Sequence, residues 1–253
     1  MNIIQLCPET IAILFFTGLL AGFVDSIAGG GGLITLPVLL SVGLPPQAAL
    51  GTNKLQGTFG TLSAAYNFIH KGEADLKKSS TGILFTFIGA AMGSFTIQLL
   101  DPGFIRHLVP VLLFIVLAYT MFSPRLGYEN QEPKMAQNLF FIVFGLGLGF
   151  YDGFFGPGTG SFWTSGVCIF LGYNMIKAAG ITRIMNFTSN IAALSFFIIG
   201  KNVSWTAGIW MAAGQVIGAR IGSDMAIKKG AGFIRPIFMT VAALTIIRLF
   251  YKS

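Results

Sequence analysis

The chain has 253 residues, of which 54% are hydrophobic and 10% are charged, and its net charge is +7. A soluble domain carries about 25% charged residues, so this composition excludes an ordinary soluble domain. Apolar runs long enough to cross about 30 Å of hydrocarbon recur along the chain, which predicts an all-α polytopic membrane protein embedded in the lipid bilayer. Most lysines and arginines lie between these runs, so the positive charge indicates orientation in the bilayer and no nucleic-acid partner.

The first half of the chain has five apolar segments, at about 10–28, 32–43, 46–70, 80–100 and 103–122. The first segment ends in "GFVDSIAGGGG" (22–32), where an aspartate precedes four glycines. The second segment has about 12 residues, too few to span the bilayer as a regular helix. We therefore expect the first two segments to be broken or re-entrant helices that meet at the glycine cluster.

The second half shows the same pattern after a polar stretch, "SPRLGYENQEPKMAQ" (123–137). Its first two segments meet at "GFYDGFFGPGTG" (149–160). We divide the chain into a first membrane repeat (1–124), an inter-repeat loop (125–137) and a second membrane repeat (138–253). The apolar segments of the second repeat lie at about 138–155, 160–172, 176–200, 204–225 and 232–251.

Matching motifs indicate that the chain is a tandem duplication. Gly22, Phe23, Asp25 and Gly29 recur at an offset of 127, as Gly149, Phe150, Asp152 and Gly156. "IGAAMGS" (88–94) returns as "IGARIGS" and "GFIR" (103–106) returns unchanged, both at an offset of 129. Several matches in one order at a nearly constant offset are typical of an internal repeat.

An odd number of segments in each repeat predicts that the second repeat is inserted upside down. With the 71–80 loop in the cytoplasm, nine basic residues face inward: Lys71, Lys77, Lys78, Arg125, Lys134, Lys177, Lys228, Lys229 and Arg235. Four face outward: Arg106, Lys201, Arg248 and Lys252. This excess agrees with the positive-inside rule and predicts that both termini lie outside.

The two helix breaks are candidates for a binding site. Paired breaks in two inverted repeats are typical of the midplane site of a transporter, and helix N-termini favour anions. We expect such half-helices to begin at Leu33 and Ser161. An alternative is that the glycines only ease helix packing. Neither cluster continues as a phosphate-binding loop requires. The candidate residues are Gly29, Gly30, Gly31, Gly32, Gly156, Gly158, Thr159 and Gly160.

Two basic residues, Lys54 and Arg183, lie inside predicted spans at the repeat offset of 129. Charges within a bilayer are costly and are functional candidates for that reason. The alternatives are that both side chains snorkel to an interface, or that they pair with Asp25 and Asp152. Polar residues cluster around them: Thr52, Asn53, Gln56, Thr58, Thr182, Asn186, Thr188, Ser189 and Asn190. Of these, Thr52, Asn53 and Asn186 are further candidates for substrate binding.

Asp25 and Asp152 are candidates for ion coupling, because a carboxylate in an apolar setting can accept a proton. They could equally cap the helix breaks or balance Lys54 and Arg183. Arg220 has no counterpart in the first repeat, and Asp224 one turn away predicts an i,i+4 ion pair. No spacing of His, Cys or acidic residues indicates a metal, a cofactor or an enzyme active site, and Cys7 and Cys168 are unrelated to each other.

These motifs resemble the TauE/SafE sulfite exporter family, also called the toluene-sulfonate uptake permease family. The resemblance rests on the paired glycine motifs, on "PQAALGTNKLQ" and on the duplicated "IGAAMGS…GFIR" halves, and it covers essentially the whole chain. The "PQAALGTNK" stretch is similar to the YfcA-like bacterial branch. The resemblance implies a multi-pass secondary transporter of the inner membrane, not an enzyme, that moves sulfite or organosulfonates. Pro157 and Thr159 depart from the all-glycine first copy.

From the residues, the leading hypothesis is a carrier with alternating access about a midplane anion site. An anion channel with the same cationic pore, or a carrier of another small organic anion, is the alternative. The exact substrate, the direction of transport, the coupling ion and the oligomeric state stay open at the level of sequence.

Overall fold

The computed structural model describes residues 7–122 and 130–230. Within these ranges the protein is all-α, which confirms the predicted helical class for the described chain. The fifth segment expected in the second repeat, at 232–251, lies outside the described residues. The helices are α1 (Pro8–Ala28), α2 (Gly31–Ser41), α3 (Pro46–His70), α4 (Ser80–Leu99), α5 (Pro102–Phe122), α6 (Gln137–Phe154), α7 (Thr159–Phe170), α8 (Met175–Ile199) and α9 (Trp205–Lys229).

The helix starts follow from local sequence. Proline stands at the first position of α1, α3 and α5, where its fixed φ suits a helix and its missing N–H is not needed. Asn174 caps α8, since its side chain accepts a hydrogen bond from the backbone N–H of Lys177 at 3.0 Å.

Each half has a helix break at its glycine cluster, as expected. Gly29 and Gly30 join α1 to α2 with φ of 75° and 124°, and Gly156 and Gly158 join α6 to α7 with φ of 101° and 84°. These values favour glycine. The half-helices begin at Gly31 and Thr159, so the expected starts at Leu33 and Ser161 were two residues too late. The reason is that Gly30 and Gly158 themselves form the N-caps.

Two described helices are long and apolar enough to cross a membrane by length and composition alone, over Pro8–Ile27 and Ser80–Leu99. Helix α2 is apolar but has only 11 residues. Large apolar side chains point outward from several helices, among them Phe16, Leu20, Leu84, Phe95, Leu139, Val143, Ile209 and Ile217. An outer surface of this kind is typical of contact with lipid or with another protein.

Helices α3 and α8 form the centre of the bundle and run antiparallel. A Cβ on Gly57 would lie 3.1 Å from the Asn190 amide, whereas one on Gly51 would lie 3.0 Å from Phe197 Cβ. As residue numbers rise along α3, the numbers of the facing residues in α8 therefore fall. Two outer pairs pack against this centre: α1 lies along α9, and α4 lies along α6.

Glycines bring the backbones of both outer pairs into contact. A Cβ on Gly149 of α6 would lie 2.6 Å from the carbonyl oxygen of Thr86 in α4, too close for any side chain. Equivalent contacts join α1 to α9. Small residues at helix interfaces commonly allow such close packing in membranes. The glycines at these two interfaces are Gly89, Gly93, Gly145, Gly149 and Gly153 in one pair, and Gly18, Gly22, Gly214, Gly218 and Gly222 in the other.

We expect Gly149→Ala to lower the stability of the protein by about 1–3 kcal/mol, because the added methyl group forces α4 and α6 apart. Gly147→Ala is the matched control on the same helix, where a Cβ would meet nothing within 4 Å. It should leave stability unchanged or raise it by up to about 1 kcal/mol, since alanine favours the helix. Thermal unfolding in detergent compares them, and equal unfolding temperatures would contradict the contact.

Candidate functional site

A polar cavity of about 40 Å³ lies where the two helix breaks meet the middle of α3 and α8. Most of the residues around it are ones that sequence analysis singled out as site or coupling candidates. These are Asp25, Gly30, Gly32, Asn53, Lys54, Asp152, Gly156, Gly158, Thr159, Gly160 and Asn186. Gln56, Gly57, Asn190 and Gln215 complete the lining.

Lys54 and Arg183 occupy equivalent places in α3 and α8. Each is the ninth residue of a 25-residue helix, so it lies about 12 Å from the helix start at 1.5 Å per residue. Both are buried, with relative exposures of 1% and 0%. Such burial excludes snorkelling to an interface, which was one of the alternatives for these residues.

Both buried cations form ion pairs, and each pair joins the two halves of the chain. Lys54 Nζ donates to Asp152 Oδ1 at 2.6 Å. Arg183 donates to Asp25 Oδ2 at 3.0 Å and also to the backbone carbonyl of Asp25. The alternative of pairing with the two aspartates is therefore what the structure shows. The pairs are crossed, since each cation binds the aspartate of the opposite half.

The two aspartates have different surroundings. Asp25 Oδ1 accepts hydrogen bonds from the backbone N–H groups of Gly30 and Gly31, both at 3.1 Å, so this side chain also bridges the first helix break. Asp152 instead accepts a hydrogen bond from the hydroxyl of Ser189 in α8. The aspartates are equivalent in sequence, but only Asp25 receives main-chain donors from its own break.

Glycine is needed at two positions where the breaks approach the charged side chains. A Cβ on Gly156 would lie 2.6 Å from Lys54 Nζ and 2.9 Å from Asp152 Oδ1. A Cβ on Gly160 would lie 2.8 Å from the Cα of Gly29 and 3.0 Å from Arg183. The first position leaves room for an ion pair, and the second allows the two breaks to touch.

Four candidates from the sequence do not line the cavity. Arg183 is buried behind it, against Asp25. Gly29 packs on Gly160, and the N–H of Gly31 serves Asp25. Thr52 accepts a hydrogen bond from the backbone N–H of Ser204 at 2.9 Å, which ties α3 to the N-cap of α9.

Gln215 was missed by sequence analysis, although it is an amide in the otherwise apolar stretch "WMAAGQVIGA". Its side chain packs across Gly60 of α3 and reaches the cavity. Three buried amide oxygens that belong to lining residues have no hydrogen-bond partner among the described protein atoms: those of Gln56, Asn186 and Gln215. Buried polar atoms are normally satisfied, so this lining is suited to water or to a polar ligand.

The predicted surface ion pair is confirmed, with Arg220 Nε 3.7 Å from Asp224 Oδ2, and both side chains are exposed. Within residues 7–122 and 130–230, no group of three or more His, Cys, Asp or Glu side chains could hold a metal ion.

Comparison with known proteins gives one family. The model of the "Sulfite exporter TauE/SafE" family matches residues 14–249. A Haemophilus influenzae protein named "Probable membrane transporter protein" is 41% identical over 245 residues, which cover 97% of this chain and 96% of the relative. The Escherichia coli K12 "Probable membrane transporter protein YfcA" is 39% identical over 252 residues, or 100% of this chain and 94% of the relative. No solved structure matches the chain.

Proposed function

Because the chain belongs to the TauE/SafE sulfite exporter family, we propose that it is a secondary transporter of a small sulfur-containing anion, either sulfite or an organosulfonate. The relatives are named as membrane transporters, and the chain matches them over nearly its whole length. The observation that carries the proposal is the buried polar cavity between two helix breaks, with Lys54 in its lining.

The proposed architecture is two inverted repeats, 1–124 and 138–253, joined by the loop 125–137. Three findings support it. Equivalent helices α3 and α8 are antiparallel, and the glycine contacts of α4 with α6 have equivalents in those of α9 with α1. The crossed ion pairs also exchange partners between the repeats. In this proposal the protein spans the bacterial inner membrane several times, with both termini outside.

The proposed binding site uses Lys54 as the counter-charge of the anion, with the N-termini of α2 and α7 and the amides of Asn53 and Asn186 around it. Arg183 acts through Asp25, whose carboxylate bridges the first break. Thr52, Gly29 and Gly31 hold the helices that form the cavity. Both helix N-termini carry partial positive charge. Because Asp25 already accepts the first N–H groups of α2, the N-terminus of α7 contributes the larger attraction for an anion.

Alternating access is supported by cavities at the two ends of α3. One of about 230 Å³ lies beside the loop after α3, at Glu73, Lys78 and Lys177. Another of about 670 Å³ lies beside the start of α3, at Pro45, Pro46 and Arg106. The central cavity lies between them along the helix. Its 40 Å³ holds about three waters, so an anion of sulfite size fits more readily than an aromatic sulfonate.

Flux measurements in proteoliposomes test the proposal. A carrier loaded with unlabelled sulfite or sulfonate inside should transiently accumulate labelled sulfite from outside, and it should accumulate substrate against its gradient when a coupling-ion gradient is imposed. An anion channel, the alternative, conducts without such exchange or accumulation. If the protein exchanges another organic anion but neither sulfite nor sulfonates, only the proposed substrate class is contradicted.

We expect Gly156→Ala to abolish anion flux, because its Cβ would meet Lys54 Nζ and separate it from Asp152. Gly43→Ala is the matched control, since Gly43 has a similar φ of 91° but a Cβ there meets nothing within 4 Å. Both variants place a side chain at a positive φ, which costs of order 1–3 kcal/mol of backbone strain. Equal loss of flux in both would show that strain, not displacement of Lys54, is responsible.

A further inference from the structure

Four charges at the centre of the described bundle, three on buried side chains and one on the partly buried Asp25, sum to zero. Lys54 and Arg183 are positive, Asp25 and Asp152 are negative, and each cation has a carboxylate partner. An anion that enters this cavity adds a negative charge with no counter-charge. Unbalanced charge is strongly unfavourable in a low-dielectric interior. Either a positive charge must enter with the anion, or one carboxylate must lose its charge.

Building on the proposed function, we propose that Asp152 binds a proton when the anion binds, and that Lys54 moves from Asp152 to the anion. The proton comes from water and binds a carboxylate oxygen of Asp152. Lys54 keeps its charge, so its ion pair with Asp152 is replaced by an ion pair with the substrate. The net charge of the cavity is zero before and after a monovalent anion binds. Transport is therefore coupled to one proton per anion.

The hydrogen-bond donors explain why Asp152 and not Asp25 is the proton acceptor. Asp25 Oδ1 faces two backbone N–H groups, which cannot rotate or become acceptors. Such donors favour the ionised carboxylate. Asp152 faces the Ser189 hydroxyl, which can donate to a carboxylate and, after rotation, accept from a carboxylic acid. Only the Asp152 site can satisfy both charge states.

The surroundings of the two cations also indicate that Lys54, and not Arg183, can change its partner. Arg183 holds both the carboxylate and the backbone carbonyl of Asp25, and it does not line the cavity. Lys54 lines the cavity, and its ammonium is a compact charge on a flexible chain beside the bare backbone of Gly156. The Arg183–Asp25 pair is therefore a fixed part of the scaffold, whereas the Lys54–Asp152 pair can exchange partners.

Apart from Lys54, no charged side chain in the described chain forms an ion pair with Asp152. Helix α4 has no charged side chain, and the only titratable side chain of α7, Cys168, belongs to an apolar cluster. Tyr151, next to Asp152 on α6, donates its hydroxyl to the carbonyl of Pro157 at 2.8 Å. Lys54 from α3 and Ser189 from α8 contact the carboxylate, while Arg183 and Asp25 form their own pair.

Anion binding to the purified full-length protein tests this inference, in sodium-free buffer with methanesulfonate and sulfite as probes. Methanesulfonate stays ionised and carries no proton of its own, so any proton taken up belongs to the protein. The wild type should take up about one proton per anion, and its Kd should rise about tenfold per pH unit where that uptake is complete. The infrared difference spectrum should show a new carboxylic acid C=O band.

Variants identify the residue that binds the proton. The band should vanish in Asp152→Asn, persist at a shifted frequency in Asp152→Glu, and persist unshifted in Asp25→Asn. Asp152→Glu keeps the assignment testable should Asp25→Asn fail to fold. Wild-type binding without proton uptake, a band that remains in Asp152→Asn, or binding that requires Na⁺ would each overturn the inference while leaving the proposed function intact. Failure of the wild type to bind either probe, in the absence and in the presence of Na⁺, would instead contradict the proposed function.

Discussion

The double variant Lys54→Met/Asp152→Asn is expected to fold and to transport no sulfite, with flux reduced at least about 100-fold. Removing one partner of a buried ion pair costs about 3–5 kcal/mol, because the other charge is left unpaired, but replacing both by neutral residues avoids this cost. The side chains are 1% and 5% exposed, so the rule for buried pairs applies. The loss of flux then reports the missing Lys54–Asp152 pair and not unfolding. Flux of labelled sulfite in proteoliposomes and thermal unfolding are measured together.

Arg220→Met/Asp224→Asn is the matched control for this experiment. It removes an Arg–Asp pair from α9 that is exposed and lies one helical turn apart. Exposed pairs contribute about 0–1 kcal/mol, and an asparagine oxygen at position 224 can still accept the hydrogen bond from the Asn67 amide, so both stability and flux should stay close to wild type. Retained transport by Lys54→Met/Asp152→Asn would exclude Lys54 as the counter-charge of the anion.

The second large effect concerns Arg183. Arg183→Met alone should lower stability by about 3–5 kcal/mol, because the partly buried Asp25 carboxylate loses its partner while the carbonyl of Asp25 loses a donor. Arg183→Met/Asp25→Asn should recover part of this loss, but not all of it, since an amide cannot hold the two glycine N–H groups as strongly as a carboxylate does. Thermal unfolding of the wild type, Arg183→Met, Asp25→Asn and the double variant forms a double-mutant cycle.

A cycle with no coupling between the two changes would mean that the Arg183–Asp25 contact contributes nothing to stability. Arg220→Met serves as the single-residue control, because it deletes an arginine whose side chain is 46% exposed. Its expected effect is below about 1 kcal/mol.

Much of the fold could be predicted from the sequence. The described helix boundaries lie close to the predicted segments, because prolines, glycines and polar loops determine where helices begin and end. The helix breaks were predictable from the glycine clusters, since only glycine readily adopts the positive φ found at Gly30 and Gly158. The exact starts of α2 and α7 were missed by two residues, because a glycine can be either a cap or the first helical residue.

The site was predictable in part. Lys54, Arg183, Asp25 and Asp152 stood out because charges are rare in apolar segments. Pairing of the cations with the aspartates was one of the alternatives from the sequence, but which aspartate binds which cation did not follow from it. The bonded partners are 98 and 158 residues apart, and the crossed arrangement depends on how the two halves pack. Gln215 was missed because one amide on a nine-tenths apolar stretch carries no pattern of its own.

The sequence by itself indicated an internal repeat, and it determined the positions of the helix breaks and the presence of two cations and two acids within apolar segments. These are local or periodic properties, so residue spacing is enough to find them. Only the tertiary structure decided which acid neutralises which cation, that Asp25 also receives main-chain donors, and that Arg183 lies behind the cavity while Lys54 lines it. Those differences arise between helices that are distant in the chain. There, the ion-pair partners depend on electrostatic balance and on close packing at glycines, and not on the spacing of residues in the sequence.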